Sequence, residues 1–381
     1  MKRLFNGVVL VFTLLLMSCS NDDNEGSNIG IDPGISAFEL HYTSKDGCVI
    51  DFEDYCFDAP IITNIYYNGK GVITFATKLT EIYDLDSADI TSITIPSSVK
   101  EFDGNPFSDC ENLTRFNCKY ATSDGFALIK DNTFIALARK WPKDSYAIAN
   151  GIKTIGQGAF RNSDIKHISI PNSVTTIGGG AFAECAYLEE LTLPKDLQIL
   201  APAICYGCTN LRRVILPNNI TQMQEVSLGY ECFYNCRRLE EFIGKNASSD
   251  GRCLIVNNML VAFAPANTVI CKIPNGVTTI TERCLDGCFD LQEIDIPSSV
   301  KKLEVRAICI KDLWGDRTSD LKRVYCRATI PPSIVGKAIG LSKTFVVESD
   351  YTIYVPSSSL QAYLNDPEWK ELKDRLEGYN F

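Results

Sequence analysis

Histidine is close to missing. The 381 residues hold two, His41 and His167, far apart in sequence. That is thin stock for general acid–base chemistry or for histidine-rich metal sites. The patterns G-x-S-x-G, H-E-x-x-H and the phosphate-binding G-x-x-x-x-G-K-[ST] are also lacking. Gly178-Gly179-Gly180 sits in a repeat turn, not between a strand and a helix that could hold phosphate. No nucleophile, base and orienting group form a set, so neither an enzyme nor a cofactor nor a metal is expected. Asp84, Asp86 and Asp89 lack the glycine and closing glutamate of a calcium loop and read as a solvated turn.

Basic clusters are absent too. With 37 Lys and Arg against 47 Asp and Glu, the formal charge is −10. Such a surface stays soluble and disfavours nucleic acid, which requires positive patches against phosphate. No apolar run is long enough to span a bilayer. The longest, Val8–Met17, comes after Lys2 and Arg3 and has the length of a signal-peptide core.

At the end of that core, Leu16-Met17-Ser18-Cys19 resembles a bacterial lipobox. The resemblance implies cleavage after residue 18 and lipidation of Cys19, with two or three acyl chains giving lasting membrane attachment. Loss of Lys2 and Arg3 leaves 35 basic against 47 acidic residues, −12. Residues 19–34 are polar and read as a flexible tether. Asp22, Asp23 and Glu25 resemble the acidic export signal of surface lipoproteins; a plain linker is the alternative.

The dominant presence is a repeat. Ile170-Pro171, Leu193-Pro194 and Leu216-Pro217 stand 23 residues apart, each ending an apolar-x-apolar step. A fixed period of that size predicts a solenoid. The alternation predicts a short strand in each turn, which stops where proline cannot donate to a ladder. About ten turns are legible across residues 78–330, from a partial unit at Lys78–Ile82 to Val324–Cys326. Later apolar positions such as Val174, Ile177, Phe182 and Leu188 should enter the same core from other sides.

Residues 35–77 carry short β-type runs, Phe38–Tyr42, Val49–Phe52, Ile61–Tyr67 and Gly71–Phe75, with turn signals at Asp46-Gly47 and Asn68-Gly69. A β cap over the open end of the coil is expected. Two segments starting Ser123-Asp124-Gly125 and Ser249-Asp250-Gly251 lie 126 residues apart, and each predicts a β-hairpin insert. Residues 331–381 should close the other end with an amphipathic helix, N-capped by Asp366 and burying Trp369, Leu372 and Leu376.

Sixteen cysteines in an exported chain invite disulfides. Their register argues otherwise. Cys110, Cys185, Cys208, Cys236 and Cys288 each stand three residues before a leucine. They read as small buried hydrophobes stacked in a ladder, and Cys205-x-x-Cys208 as part of the same repeat. A serine at Cys185 would then bury a hydroxyl without a partner. Cys48 and Cys56, in the cap, are the best disulfide candidates.

Ile168–Cys185 matches nearly throughout the unit of the BspA-like leucine-rich-repeat proteins, and the resemblance extends over about residues 78–381. It implies a mainly β solenoid with a parallel sheet on one face. Members are often cell-surface proteins, some of them adhesins for host matrix proteins. Here the resemblance implies a surface binding module for a protein or glycan. A structural lipoprotein within an envelope complex, for example beside a glycan importer, is the alternative.

Stacking the predicted strands places a central outward row through Thr192, Ile215, Ile243, Lys272, Asp295 and Tyr325, beside a row through Glu190, Arg213, Glu241, Ile270 and Glu293. Ile215, Ile243 and Ile270 are predicted to form an apolar spot ringed by Arg213, Glu241 and Lys272, the layout of a recognition patch. The alternatives are plain cross-strand packing, or cover by the hairpin starting near Ser249.

Overall fold

The computed structural model describes residues 32–85, 87–224, 232–285, 287–304, 306–310, 320–335, 345–347 and 350–381. Cys19, the signal segment, most of the tether and Asp86 lie outside them.

The chain is a β solenoid with a β cap at its start. Glu39–Ser44, Ile61–Tyr67 and Lys70–Phe75 form an antiparallel sheet. The tight turn between the last two is made by Asn68 and Gly69, both at positive φ (51° and 76°), as a two-residue hairpin requires. Glu39–Ser44 then pairs antiparallel with the first repeat strand, Ile90–Thr94, so cap and array share one sheet. The Asp58 carboxylate adds a tie by accepting from the backbone N–H groups of Thr80 and Glu81, each at 3.0 Å. Val49–Phe52 is not a strand. It drops Ile50 and Phe52 into the cap core instead, where Phe52 meets Tyr42 edge to face at 5.4 Å.

Each full turn contributes two short strands. The apolar-x-apolar step supplies one, as in His167–Ser169, Glu190–Thr192 and Arg213–Ile215, paired in parallel and in register. Eight or nine residues later a second ladder runs along another side, as in Thr154–Ile155 with Thr176–Ile177 and Ile199–Leu200 with Gln222–Met223. Lys78–Ile82, expected as a partial first unit, belongs to this second ladder through Glu81–Ile82. Val174, Ile177, Phe182 and Leu188 are all buried between the ladders.

Both hairpins form, and with one register. Ala127–Lys130 pairs with Thr133–Leu137, and Cys253–Val256 with Met259–Phe263; each partner pair is displaced by the same 126 residues, bulge included. They are not appendages. Ala127, Phe134 and Leu137 pack into the middle block of the core while Leu128, Ile135 and Ala136 pack into the first. Leu254, Val256 and Val261 face the middle block; Cys253, Leu260 and Phe263 face the last. Burial on both faces explains why these strands read as nearly continuous apolar runs. The hairpins thus partition the core into three blocks, and the first ladder breaks into three five-stranded sheets at the same two places.

At the far end the order of elements differs from expectation. The α-helix is Leu360–Asn365, earlier than predicted, and Trp369–Arg375 is a tighter 3₁₀ segment. Asp366 still caps, its Oδ1 accepting from Glu368 N–H (2.9 Å) and Trp369 N–H (3.2 Å). Trp369 is fully buried and donates from Nε1 to Pro332 O at 2.8 Å. Leu376 opens a final strand, Leu376–Tyr379, parallel to Thr352–Pro356. An edge position in the last sheet satisfies that backbone better than another helical turn would.

Of the fourteen cysteines whose side chains are described, thirteen are buried and none is bridged. Cys48 and Cys56 are not joined, because Cys48 is exposed at a bend while Cys56 is buried in the cap core. The repeat cysteines form the expected ladder, with one correction: the thiols have partners. Cys110, Cys185, Cys208 and Cys236 donate to the carbonyls of Leu85, Phe160, Phe182 and Cys205 at 2.9–3.1 Å, one turn back. Burial pushes the thiols of Cys185, Cys205, Cys208 and Cys236 up; Cys118 rises to about 11, Cys232 and Cys253 to about 12.

Candidate binding surface on the outward sheet face

In the middle sheet, Arg213–Ile215 and Glu241–Ile243 are adjacent, with Ile215 opposite Ile243 and Arg213 opposite Glu241. Their core residues, Val214 and Phe242, are buried on the other side. Ile243 is 39% exposed and Ile215 half-buried. Arg213 also pairs with Glu190 at 2.9 Å. Four of the predicted patch residues are therefore together.

Ile270 and Lys272 are not with them. They stand on the first strand of the last sheet, opposite Glu293 and Asp295. What separates the two groups is the entry to the second hairpin. Phe242 N–H donates to Gly251 O at 2.7 Å, so the chain at Gly251 takes the edge that Ile270 was expected to fill. Gly251 has φ 72°, and a Cβ there would lie 3.0 Å from the Cβ of Glu241. Asp250 Oδ1 fixes the turn by accepting from Arg252 N–H at 3.1 Å. The first insert repeats this geometry: Phe116 N–H donates to Gly125 O at 2.8 Å, and Asp124 accepts from Phe126 N–H at 3.0 Å.

Ile270, 47% exposed, and Lys272 instead border a depression of about 310 Å³ on the outward face of the last sheet. Tyr325, Tyr379 and Phe381 line it with Glu293, Asp295 and Arg327. Tyr325 stacks on Tyr354 (centroids 5.1 Å, 20° between planes), and Tyr379 meets both rings edge-on at 5.6 and 5.4 Å. Phe381 lies 5.1 Å from Tyr379 and under the Arg327 guanidinium at 4.7 Å. Asp295 grips Arg327 through two bonds of 2.6 and 2.9 Å, and Arg323 donates to Glu293 at 2.7 Å. Those hydrogen bonds hold both guanidinium groups above their ordinary range.

Tyr354, Tyr379 and Phe381 had no place in the predicted patch. A signal existed for the first: Thr352-Ile353-Tyr354-Val355-Pro356 repeats the apolar-x-apolar-Pro step with a tyrosine at the outward position. Tyr379 and Phe381 had none, since their stretch carries no repeat pattern. His41 lies in the cap, its Nε2 2.8 Å from Glu39 Oε2, and His167 is exposed on its strand. Among the described residues, no group of three or more His, Cys, Asp or Glu is placed to hold a metal, and no helix is long and apolar enough to cross a membrane.

Comparison with known proteins agrees with the repeat geometry. No curated protein matches the chain. Solved structures similar to it include a leucine-rich-repeat protein from Bacteroides ovatus, 19% identical, covering 91% of this chain and 100% of that one, TM-score 0.42. Another is a leucine-rich-repeat protein from Eubacterium ventriosum, 15% identical, covering 90% and 85%, TM-score 0.42. A leucine-rich cell-surface protein from Faecalibacterium prausnitzii is 17% identical, covering 91% and 94%, TM-score 0.38. The family model for the BspA-type leucine-rich-repeat region matches in six copies over residues 49–137, 128–249 and 260–309. These spans take in more than half of the sequence, and the chain belongs to the BspA-type leucine-rich-repeat family.

Proposed function

We propose that the protein is a non-catalytic binding module, lipid-anchored through Cys19 and displayed on the bacterial outer membrane, that takes a protein or glycan ligand on its outward sheet face. The observation that carries this reading is the outward side of the last sheet. There Ile270, Lys272 and a set of aromatic rings surround a depression instead of packing into the core. The Ile215–Ile243 pair, with Arg213 and Glu241, offers a second, flatter contact area on the middle sheet. An apolar centre with a charged rim suits recognition. The lipobox residues and the polar tether supply the route to the surface.

A glycan and matrix-protein array probed with residues 35–381 tests this. A discrete ligand, lost on substitution in either outward area, is the expected result; an array with no signal above background would contradict it.

One observation favours a second reading, a structural lipoprotein within an envelope complex. Ile61–Tyr67 is, among the described residues, the edge strand of the first sheet, and it exposes Ile62, Ile65 and Tyr67. An unpaired apolar edge is suited to a protein neighbour. Co-purification of envelope proteins, abolished by Ile65→Lys, distinguishes this reading.

A further inference from the structure

We propose that the depression on the last sheet is a saccharide subsite, and that it takes a pyranose carrying a carboxylate, such as a uronic acid unit. This rests on the reading of the outward face as the ligand-bearing surface and names the ligand class there.

Tyr325, Tyr354, Tyr379 and Phe381 arrive from three strands and the residues beyond them, and they hold one another by stacked and edge contacts. They are not core, because Val324 and Ile353 on the same strands already fill the interior. Tyr379 is 43% and Phe381 45% exposed. Aromatic side chains fixed by their neighbours offer a large contact area at small entropic cost. Their faces carry negative charge density, which suits the weakly positive C–H bonds on the face of a sugar ring.

The rim around the rings is polar. A purely apolar ligand would cover Glu293, Asp295 and the tyrosine hydroxyls without giving them hydrogen bonds, which is costly. Sugar hydroxyls give and accept such bonds. The acids are already committed in charge, Glu293 to Arg323 and Asp295 to Arg327. Lys272, one strand from Asp295, has no ion-pair partner among the described residues. Its ammonium is therefore the cation at the edge of the rings that no described side chain pairs with. Glu377 shares the row but stands four strand steps from Lys272, about 19 Å at the usual spacing. A carboxylate on the sugar is the group that Lys272 can satisfy.

The volume fits as well. About 310 Å³ sits at the low end of small-ligand sites, which run from about 300 to 1,000 Å³. That is room for one or two sugar rings.

The test titrates the full-length protein with methyl glucuronide and with methyl glucoside, which lacks the carboxylate, monitored by NMR. The glucuronide should bind more tightly by about tenfold, as expected for one charge-assisted hydrogen bond. Lys272→Gln should bring the glucuronide down to the level of the glucoside and leave the glucoside unchanged. Tyr379→Ala should weaken both, and Tyr379→Phe, which keeps the ring but not the hydroxyl, should recover part of that loss for both. Tyr187→Ala, an exposed ring outside both outward areas, should alter neither. Equal binding of the two sugars, or glucuronide binding that survives Tyr379→Ala, would overturn the proposal. If neither sugar binds while a protein ligand does, and Tyr379→Ala abolishes that, the saccharide assignment falls and the outward-face reading stands. If no ligand of either class responds to variants on either sheet, both fall.

Discussion

The thiol of Cys185 donates to the carbonyl oxygen of Phe160 at 3.0 Å, from one turn of the coil to the turn before it. The same step recurs at Cys208 and Phe182. A small apolar residue that also carries a weak donor suits a position that must fill space and satisfy a neighbouring turn. Cys185→Ser keeps a donor for Phe160, so it should cost about 1 kcal/mol, and Cys185→Ala, which loses donor and volume, about 2 kcal/mol. Urea unfolding of the two variants checks the order. A serine variant less stable than the alanine one would contradict it.

Thiol reactivity depends on the same burial. Among the cysteines whose side chains are described, only Cys48 should react promptly with a thiol reagent in the native protein. The others should become reactive on unfolding, all as free thiols. Repeat disulfides found by mass spectrometry would refute this.

Alkaline pH should destabilise the fold. An unfolded thiol loses its proton near 9, whereas Cys118 holds its own to about 11 and Cys232 and Cys253 to about 12. Between those values the folded state binds more protons than the unfolded one, so stability falls as pH rises. Each such thiol contributes about 1.4 kcal/mol per pH unit in that window. Thermal unfolding should show this contribution intact at pH 8 and a steep loss of Tm from pH 9 to 11. A Tm that holds from pH 8 to 11 would show that the thiols are not buried as described.

The two hairpin entries should be equally intolerant of a side chain. Gly125 and Gly251 have φ 76° and 72°, and an added Cβ would meet Arg115 at 2.8 Å or Glu241 at 3.0 Å. Gly125→Ala and Gly251→Ala should each cost about 2 kcal/mol by thermal unfolding, from strain at positive φ plus the contact.

Lipidation at Cys19 can be read in cells. A labelled fatty acid should mark the protein, and Cys19→Ala should lose the label and release or mislocalise the chain. Label that persists in the variant would end the proposal of a lipid anchor.

The repeat strands were legible because proline and a two-residue alternation mark each one, and because a buried ladder tolerates little variation. The pairing of Ile215 with Ile243 comes from that register directly. The gap between Ile243 and Ile270 was not legible. It arises because Gly251, at the start of the second hairpin, takes the edge of the sheet; the hairpin was marked by Ser249-Asp250-Gly251, but the backbone bond from Phe242 to Gly251 was not. The hairpins were foreseen as elements, yet their burial between blocks became evident only from which side chains face which core. At the C-terminal end, helical spacing of Trp369, Leu372 and Leu376 pointed to a helix, but edge pairing with Thr352–Pro356 drew Leu376 into a strand. The aromatic cluster depends on that strand, so it stayed hidden with it.

Binding on the outward sheet face is the proposal on which the saccharide assignment depends. It is tested by a glycan and matrix-protein array probed in parallel with the wild-type chain, with Tyr379→Ala, and with the Ile215→Glu, Ile243→Lys double variant, after thermal unfolding has shown all three to be folded. Outward-face binding predicts a discrete ligand signal that falls by about tenfold or more, at least about 1.4 kcal/mol, in one of the variants. A ligand that binds all three equally would contradict it and place recognition elsewhere on the molecule.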